Sequence, residues 1–426
     1  MNKVLVLSYY CNPANFVACE RIQSWAKDFK ENDIYPIIVT RQWNEGQTDI
    51  IDPIKHNKLS IDNYIDYEVH RLPYTNSMRD KLASSTRFPI IRKSLSFLGL
   101  LAETIFFRLS KNYLFYSYSR EYLRNNPDVK IIIASGRPFF LFKAASLLSV
   151  KNKINWIADY RDEWTTIYPK PKLSFLKKLL FSFDKVNEKK WISTSSFFVT
   201  TSENIKNRIE RKFNKKGILV LNGFEEGIRT NIKRTPLSNK LKILYAGTLY
   251  SYQNIGLLID SVKKFNLASN DYKIEVSYIG VSSNPVEFNQ LKKMIKDDNS
   301  FHILPKIKKQ ELNKLYQKYD VLYLTSYEEN KGWLPVKLFD YYQNSHPILL
   351  YPSDKDVMEE FIINSNSGTA CSNYLEFENF INSVRENYNL NYKRNTSFGN
   401  FYSRKNQTKI FAAEINKMIS SNKISH

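Results

Sequence analysis

Lys331-Gly-Trp-Leu-Pro-Val-Lys-Leu-Phe-Asp-Tyr-Tyr-Gln-Asn-Ser-His-Pro-Ile-Leu-Leu350 is the stretch from which the rest of the chain is read. Val321-Leu-Tyr-Leu-Thr-Ser ahead of it has the continuous apolar character of a buried strand, and Pro347-Ile-Leu-Leu-Tyr at its end reads as another. The residues between them must form a loop and a short helix. Pro335 suits the first turn of that helix, where the free amide groups and the positive dipole end can receive an anion. Lys337 and Asp340, three positions apart, fall on one helical face. A cation and a carboxylate beside a helix start suit a phosphorylated ligand that also carries hydroxyl groups.

Pro335-Val-Lys-Leu-Phe-Asp-Tyr-Tyr followed by His346-Pro-Ile-Leu resembles the nucleotide-sugar-binding segment of retaining glycosyltransferases of the family 4 type. There the segment usually runs Pro-x-Lys-Leu-Phe/Tyr-Glu-Tyr and ends in Gly-Lys-Pro-Val. The resemblance implies that Asp340 grips the donor ribose and that Lys337 carries diphosphate charge. The competing reading is an ordinary amphipathic helix with a solvated lysine and aspartate.

A chain of 426 residues exceeds one ordinary core and implies two or three domains. Its 42% hydrophobic and 25% charged residues exclude wholesale disorder. No apolar run approaches the roughly 20 residues that span a bilayer, and the longest, Leu95 to Phe107, contains Glu103. Met1-Asn-Lys-Val-Leu-Val-Leu-Ser enters a strand without a signal-peptide pattern, so a cytoplasmic location is expected. Cys11, Cys19 and Cys371 are too few and too scattered for a disulfide framework or a metal site. The net charge of +21 implies an anionic partner: nucleic acid, an acidic membrane face or a phosphorylated substrate.

Toward the N-terminus, Val4 to Ser8 is a short strand, and Ile22, Trp25, Ala26 and Phe29 recur at helical spacing. Between them the loop Tyr9 to Cys19 stands where the family places its acceptor-side loop. It keeps Tyr10 and Pro13 and carries Asn15, but lacks the family's glycines. Arg21 opens the next helix, either toward an anionic acceptor or into solvent. Strands at Tyr35 to Thr40 and Tyr67 to Leu72 alternate with helical stretches, the pattern of a parallel, doubly wound sheet. Residues 79–125 are less typical, with Arg79, Lys81, Arg87, Arg92 and Lys93 ahead of an aromatic-rich helix. Strand Val129 to Ser135 hands over to Gly136-Arg137, where glycine permits a close approach and arginine offers a fork of donors.

Strand Ile154 to Ala158 leads to Asp159-Tyr-Arg-Asp-Glu-Trp164, which resembles the Asp-x-Arg-Asp-x-Trp signature of a family 4 branch acting on polysaccharide precursors. The resemblance places Arg161 and Asp162 at the reaction cleft, with Asp159 and Trp164 as supports. A buried Asp–Arg pair fixing a strand-end turn is the alternative. From Tyr168 to Trp191 seven lysines accompany two acids, and Leu173, Leu176, Leu180 and Phe183 fall at helical intervals. One face suits a lipid interface and its lysines suit anionic headgroups, against the alternative of a solvated surface helix. No zinc finger, RNP-type strand or helix-turn-helix accompanies the charge, so nucleic acid is not expected.

Phe197 to Ser202, the helix after it, Ile218 to Leu221 and Asn222-Gly close the first domain in the family's order. The pattern restarts at Leu241 to Ala246, followed by Gly247. Many family members hold the diphosphate here with an arginine directly after the glycine and a lysine five residues further; this chain has Thr248 and Gln253. The family's first glutamate would fall at Gly332, leaving Glu328 or Glu329 to reach the sugar hydroxyls.

The expected fold is α/β, two Rossmann-like domains facing a cleft (GT-B). Residues 1–224 form the acceptor-side domain, 225–240 a linker, and 241–400 the nucleotide-sugar-binding domain. A last helix over 401–426 crosses back to the first domain. The resemblance implies transfer of a sugar from a nucleotide diphosphate sugar to a hydroxyl, with retention and without a metal or resident cofactor. The acceptor is expected to be a lipid-linked saccharide in surface polysaccharide assembly, with the enzyme peripheral on the inner membrane face. A nucleotide-sugar epimerase of the same fold, or a non-catalytic basic protein on membrane or nucleic acid, is the alternative.

Overall fold

The computed structural model describes residues 1–50, 52–75, 95, 99, 106–167, 175–226, 239–307, 309–327, 331–344, 346–386 and 394–424. The chain divides into two compact units, Met1–Leu221 with Arg404–His426, and Asn222–Ser403.

In the first unit the elements run β1 (Asn2–Ser8), α1 (Val17–Asp28), β2 (Ile34–Arg41), β3 (Ser60–Asn63), β4 (Glu68–Leu72) and α2 (Tyr113–Asn125). They continue as β5 (Val129–Gly136), α3 (Phe140–Asn152), β6 (Asn155–Tyr160), α4 (Phe175–Ile192), β7 (Phe197–Thr200), α5 (Glu203–Phe213) and β8 (Gly217–Leu219). The sheet order is β3-β4-β2-β1-β5-β6-β7-β8, parallel except for β3. Val4 to Leu7 and Ile131 to Ala134 have no exposed surface, as a parallel sheet covered on both faces requires. The antiparallel β3 was not expected: Ser-Ile-Asp-Asn is short, polar and half in solvent, so its edge position leaves no hydrophobic signature.

The second unit holds β9 (Lys240–Ala246), α6 (Gly256–Ala268), β10 (Lys273–Ile279), α7 (Pro285–Met294), β11 (Phe301–Leu304), α8 (Lys309–Tyr316) and β12 (Val321–Leu324). After these come α9 (Val336–Tyr342), β13 (Ile348–Leu350), α10 (Val357–Asn364), β14 (Gly368–Ala370), α11 (Tyr374–Glu386) and α12 (Thr396–Phe401). Its all-parallel order is β11-β10-β9-β12-β13-β14. Phe224 belongs here, its ring 5.1 Å from Tyr342 and its amide donating to Tyr402 O, so the unit begins ahead of residue 225. Residues 227–238 of the expected linker lie outside the described residues.

The last helix, α13 (Arg404–Ile424), packs in the first unit. Phe411 meets Trp25 at 5.1 Å and Phe29 at 5.9 Å, and Arg404 pairs with Glu20. The three cysteines are free and buried. Among the described residues no helix is long and apolar enough to cross a membrane.

Candidate functional site

In the second sheet the chain builds β9, β10 and β11 in one direction, then returns to lay β12 on the other side of β9. The loops leaving β9 and β12 therefore diverge at the carboxyl ends of these strands, the position where open parallel sheets bind ligands. Gly247 follows β9, and α9 follows β12.

Four neighbouring side chains of α9, Leu338, Phe339, Tyr341 and Tyr342, are buried and fix the helix on the sheet. The Tyr341 hydroxyl accepts the Ala246 N–H at 2.8 Å, tying α9 to the end of β9. Lys337, four residues earlier and on the same face, is thereby aimed at Gly247. Its Nζ donates to the Tyr245 hydroxyl at 2.7 Å and lies 4.1 Å from that ring's centroid. A Cβ added to Gly247 (φ +132°) would come within 3.0 Å of Nζ, so glycine lets the ammonium lie against the strand end. Among the described residues Lys337 has no carboxylate partner. Burial pushes its pKa down from 10.5 to about 7. A desolvated cation without a counter-ion is a site prepared for an anion.

Tyr245 links the lysine to the loop. Its hydroxyl donates to Thr248 O at 2.8 Å, and Gln253 Oε1, which accepts the Tyr250 N–H at 2.9 Å, is 3.3 Å away. Gln253 Nε2 is buried and unpartnered among the described residues. The structure thus gathers Gly247, Thr248, Gln253 and Lys337 around Tyr245, which sequence reading treated only as an apolar strand residue. Its signal was available: a tyrosine in a buried strand needs a partner for its hydroxyl. Asp340 is half-buried on α9, and its charge helps raise the pKa of Tyr316, after burial and Tyr341. Pro335 differs from expectation: it precedes α9 in extended backbone (φ −70°, ψ 146°), and the helix begins at Val336.

Glu328 and Glu329 lie outside the described residues. At Gly332 (φ +73°), where the resemblance calls for an acid, the N–H donates to Asp356 Oδ2 at 2.5 Å. A carboxylate thus meets that backbone from the start of α10, which no local sequence spacing signals.

The first sheet reverses direction between β1 and β5. Tyr10 and Asn15 follow β1, and Gly136 and Arg137 follow β5. Tyr10 is half-buried, stacks on Trp43 at 5.7 Å and touches Phe16 at 5.0 Å. The Arg161 guanidinium, from the end of β6, lies 5.4 Å from the Tyr10 centroid and 3.5 Å from Asp162, whose side chain is 51% exposed. Asn15 and Arg137 are exposed. At Gly136 an added Cβ would strike the Phe139 ring at 2.5 Å, so this glycine serves packing. Phe139 in turn stacks on Trp164 at 4.6 Å, and Trp164 on Trp191 at 5.3 Å.

Two acceptor-side assignments need correction. Arg21 is neither solvated nor aimed at a ligand: its Nη2 and Nε bind Asp159 Oδ1 at 2.9 and 3.1 Å, and Nη1 donates to Val220 O at 2.9 Å. Asp159 is fully buried and also accepts from Ser135 Oγ at 2.7 Å. Both are spent on a structural pair joining α1, β5, β6 and the end of β8, leaving Arg161 and Asp162 as the outward part of the motif. Glu163, which sequence reading passed over, is likewise structural, holding Arg208 through two bonds of 2.7 and 2.8 Å. Among the described residues no cluster of His, Cys, Asp and Glu could hold a metal ion.

No family model matches the sequence, and no curated protein does. Solved structures do match in fold. A glycosyltransferase from Rickettsia africae ESF-5 aligns over 99% of both chains at 14% identity and TM-score 0.61. HepE of Anabaena, in complex with UDP and glucose, aligns over 100% of both at 12% and 0.54. WaaG, a glycosyltransferase involved in lipopolysaccharide biosynthesis, aligns over 96% of this chain and 98% of its own at 10% and 0.56. The chain has the GT-B glycosyltransferase fold.

Proposed function

We propose that the chain is a glycosyltransferase that moves a sugar from a nucleotide diphosphate sugar to the hydroxyl of a lipid-linked saccharide in surface polysaccharide assembly. The observation that carries the reading is Lys337: a half-buried ammonium, lacking a carboxylate partner among the described residues, held against Gly247 where the strand order of the second sheet switches sides. A diphosphate is the ligand such a group favours. Breaking the bond between the sugar and its phosphate leaves positive charge on the ring and negative charge on the leaving group. Lys337 stabilises the latter, while Asp340 holds the ribose. Arg161, Asp162 and Tyr10 orient the acceptor on the first unit. The reaction retains configuration, uses no metal, and takes place at the inner face of the membrane. The neighbour HepE has been solved with UDP-glucose, which makes that donor the first to try.

Melting curves with UDP-glucose and other nucleotide sugars test this reading, since a ligand that binds only the native state raises the transition. A donor that shifts melting and yields a glycosylated product only when acceptor is added supports it, and the anomer formed reads retention. Conversion of the sugar without acceptor would make the protein an epimerase. No shift with any nucleotide sugar would remove the donor site.

A further inference from the structure

The helix α4 carries its charge in an unusual division. Its two acids turn inward. Glu188 is buried, where it accepts from the Tyr160 hydroxyl at 3.0 Å and the Thr165 N–H at 3.2 Å and lies 3.7 Å from Lys212 Nζ. Asp184 bonds the Trp164 side chain, and burial raises its pKa. Lys177, Lys178, Lys185, Lys189 and Lys190 are all exposed. The outward surface of the described helix therefore carries lysines without a single carboxylate.

That surface is also apolar. Phe175 is 81% exposed, Leu179 44%, Phe183 42% and Val186 67%. Steps of four, four and three residues place these side chains in one stripe along the helix. Lys178, Lys185 and Lys189, seven and four residues apart, form a row beside it. Among the described residues of the helix, its far end, Trp191 and Ile192, joins the first unit's core. The sequence had suggested a stripe through Leu173, Leu176, Leu180 and Phe183. Leu173 lies outside the described residues, and Leu180 is half-buried. Glu188 and Asp184 set the inward side and rotate the exposed stripe onto Phe175, Leu179 and Val186.

An aqueous surface does not favour four large apolar side chains among five lysines, but an anionic lipid interface satisfies both. The aromatic and aliphatic groups enter the boundary of headgroups and acyl chains, and long lysine stems let the ammonium groups remain among phosphates. Nucleic acid would satisfy the charge and leave the stripe in water. We infer that the outward face of α4 docks on an anionic phospholipid bilayer, inserting Phe175, Leu179, Phe183 and Val186 between lysines that meet the headgroups. This deepens the proposal of a membrane-borne acceptor, yet it stands on α4 alone.

The test uses the full chain and vesicles of phosphatidylcholine, alone or mixed with phosphatidylglycerol. The protein should sediment with the mixed vesicles and far less with the neutral ones. Replacing Lys178, Lys185 and Lys189 by Gln should weaken binding about fivefold per lysine. Leu179→Gln with Phe183→Gln should weaken it about tenfold or more while leaving the melting temperature unchanged, because neither side chain is in the core. A nitrobenzoxadiazole label on Leu179→Cys should shift to the blue on mixed vesicles, whereas one on Leu267→Cys, 86% exposed in the second unit, should not. Vesicle binding that ignores the Leu179 and Phe183 replacements overturns the insertion. So does binding to duplex DNA but not to vesicles, or a wild-type dimer that those replacements dissociate. UDP-glucose melting shifts in solution are read separately. Their loss would count against glycosyl transfer while vesicle binding persists, and vesicle failure with intact shifts would count against docking alone.

Discussion

The two sheets reverse direction in the same way, yet they treat charge at the reversal differently. In the first unit, Arg21 and Asp159 are buried together, and Val220 O and Ser135 Oγ complete their hydrogen bonding. In the second, Lys337 is half-buried against one phenol and has, among the described residues, no carboxylate partner. A buried charge that is neutralised internally holds elements in place and has nothing left for a ligand. A buried charge without its counter-ion raises the energy of the empty site and lowers it when an anion arrives. The same physics makes one pair a fastener and the other residue a receptor.

The contrast is broken most forcefully at the fastener. Asp159→Ala should destabilise the protein by about 3–5 kcal/mol, because it leaves the Arg21 guanidinium buried and unpaired. The loss should appear as a lower urea midpoint. Removing Lys337 should do the opposite to stability. Lys337→Met relieves a desolvated ammonium and should hold or raise the midpoint, while Lys337→Ala weakens UDP-glucose binding by about 1.5–3 kcal/mol, the range for charged hydrogen bonds. Calorimetry showing unchanged donor affinity in a folded Lys337→Ala protein would remove the receptor role.

The pH dependence sharpens the same difference. Lys337 titrates near 10.5 when unfolded and near 7 when folded, so between these values the unfolded chain holds more protons. Its contribution therefore makes the empty protein more stable as pH rises through that window. A diphosphate binds the ammonium and reverses the preference. Donor affinity should accordingly fall by up to about tenfold for the first unit of pH above 7, with proton uptake on binding, and Lys337→Met should flatten the profile. A wild-type profile as flat as the variant's would mean that the ammonium does not meet the donor.

What could be read from the sequence was whatever physics writes locally. The central parallel strands are continuous apolar runs, and Val4 to Leu7 announced themselves; β3, four residues at an edge, did not. The segment Pro335-Val-Lys337 put a cation at a helix start after a buried strand, and the strand order of the folded sheet brings it beside the glycine after β9. Asp159-Tyr-Arg-Asp162 showed that charge collects at the end of β6 but not which member turns inward. That depends on Arg21, 138 residues away in sequence. Which side of α4 turns inward is not written in its spacing, because Tyr160 and Thr165, distant in sequence, draw Glu188 inside. Long-range partners decide direction, and sequence spacing records only position.

The smallest expected effect concerns the part of that motif left facing outward. Arg161 rests over the Tyr10 ring and beside Asp162, with a side chain only 16% exposed, so its guanidinium is held by a cation–π contact and a long ion pair. Contacts of this kind contribute roughly 0.5–1 kcal/mol. Because Arg161 belongs to the first unit and Lys337 to the second, Arg161→Ala should lower transfer to acceptor about two- to fivefold while UDP-glucose affinity stays unchanged. Its stability should also change little, in contrast to Asp159→Ala two positions earlier. Kinetics at varied acceptor, urea unfolding and donor calorimetry on the one variant separate the cases. A fall in unfolding midpoint comparable to that of Asp159→Ala would make Arg161 a second fastener, and the first sheet's reversal would then hold no outward cation from this motif.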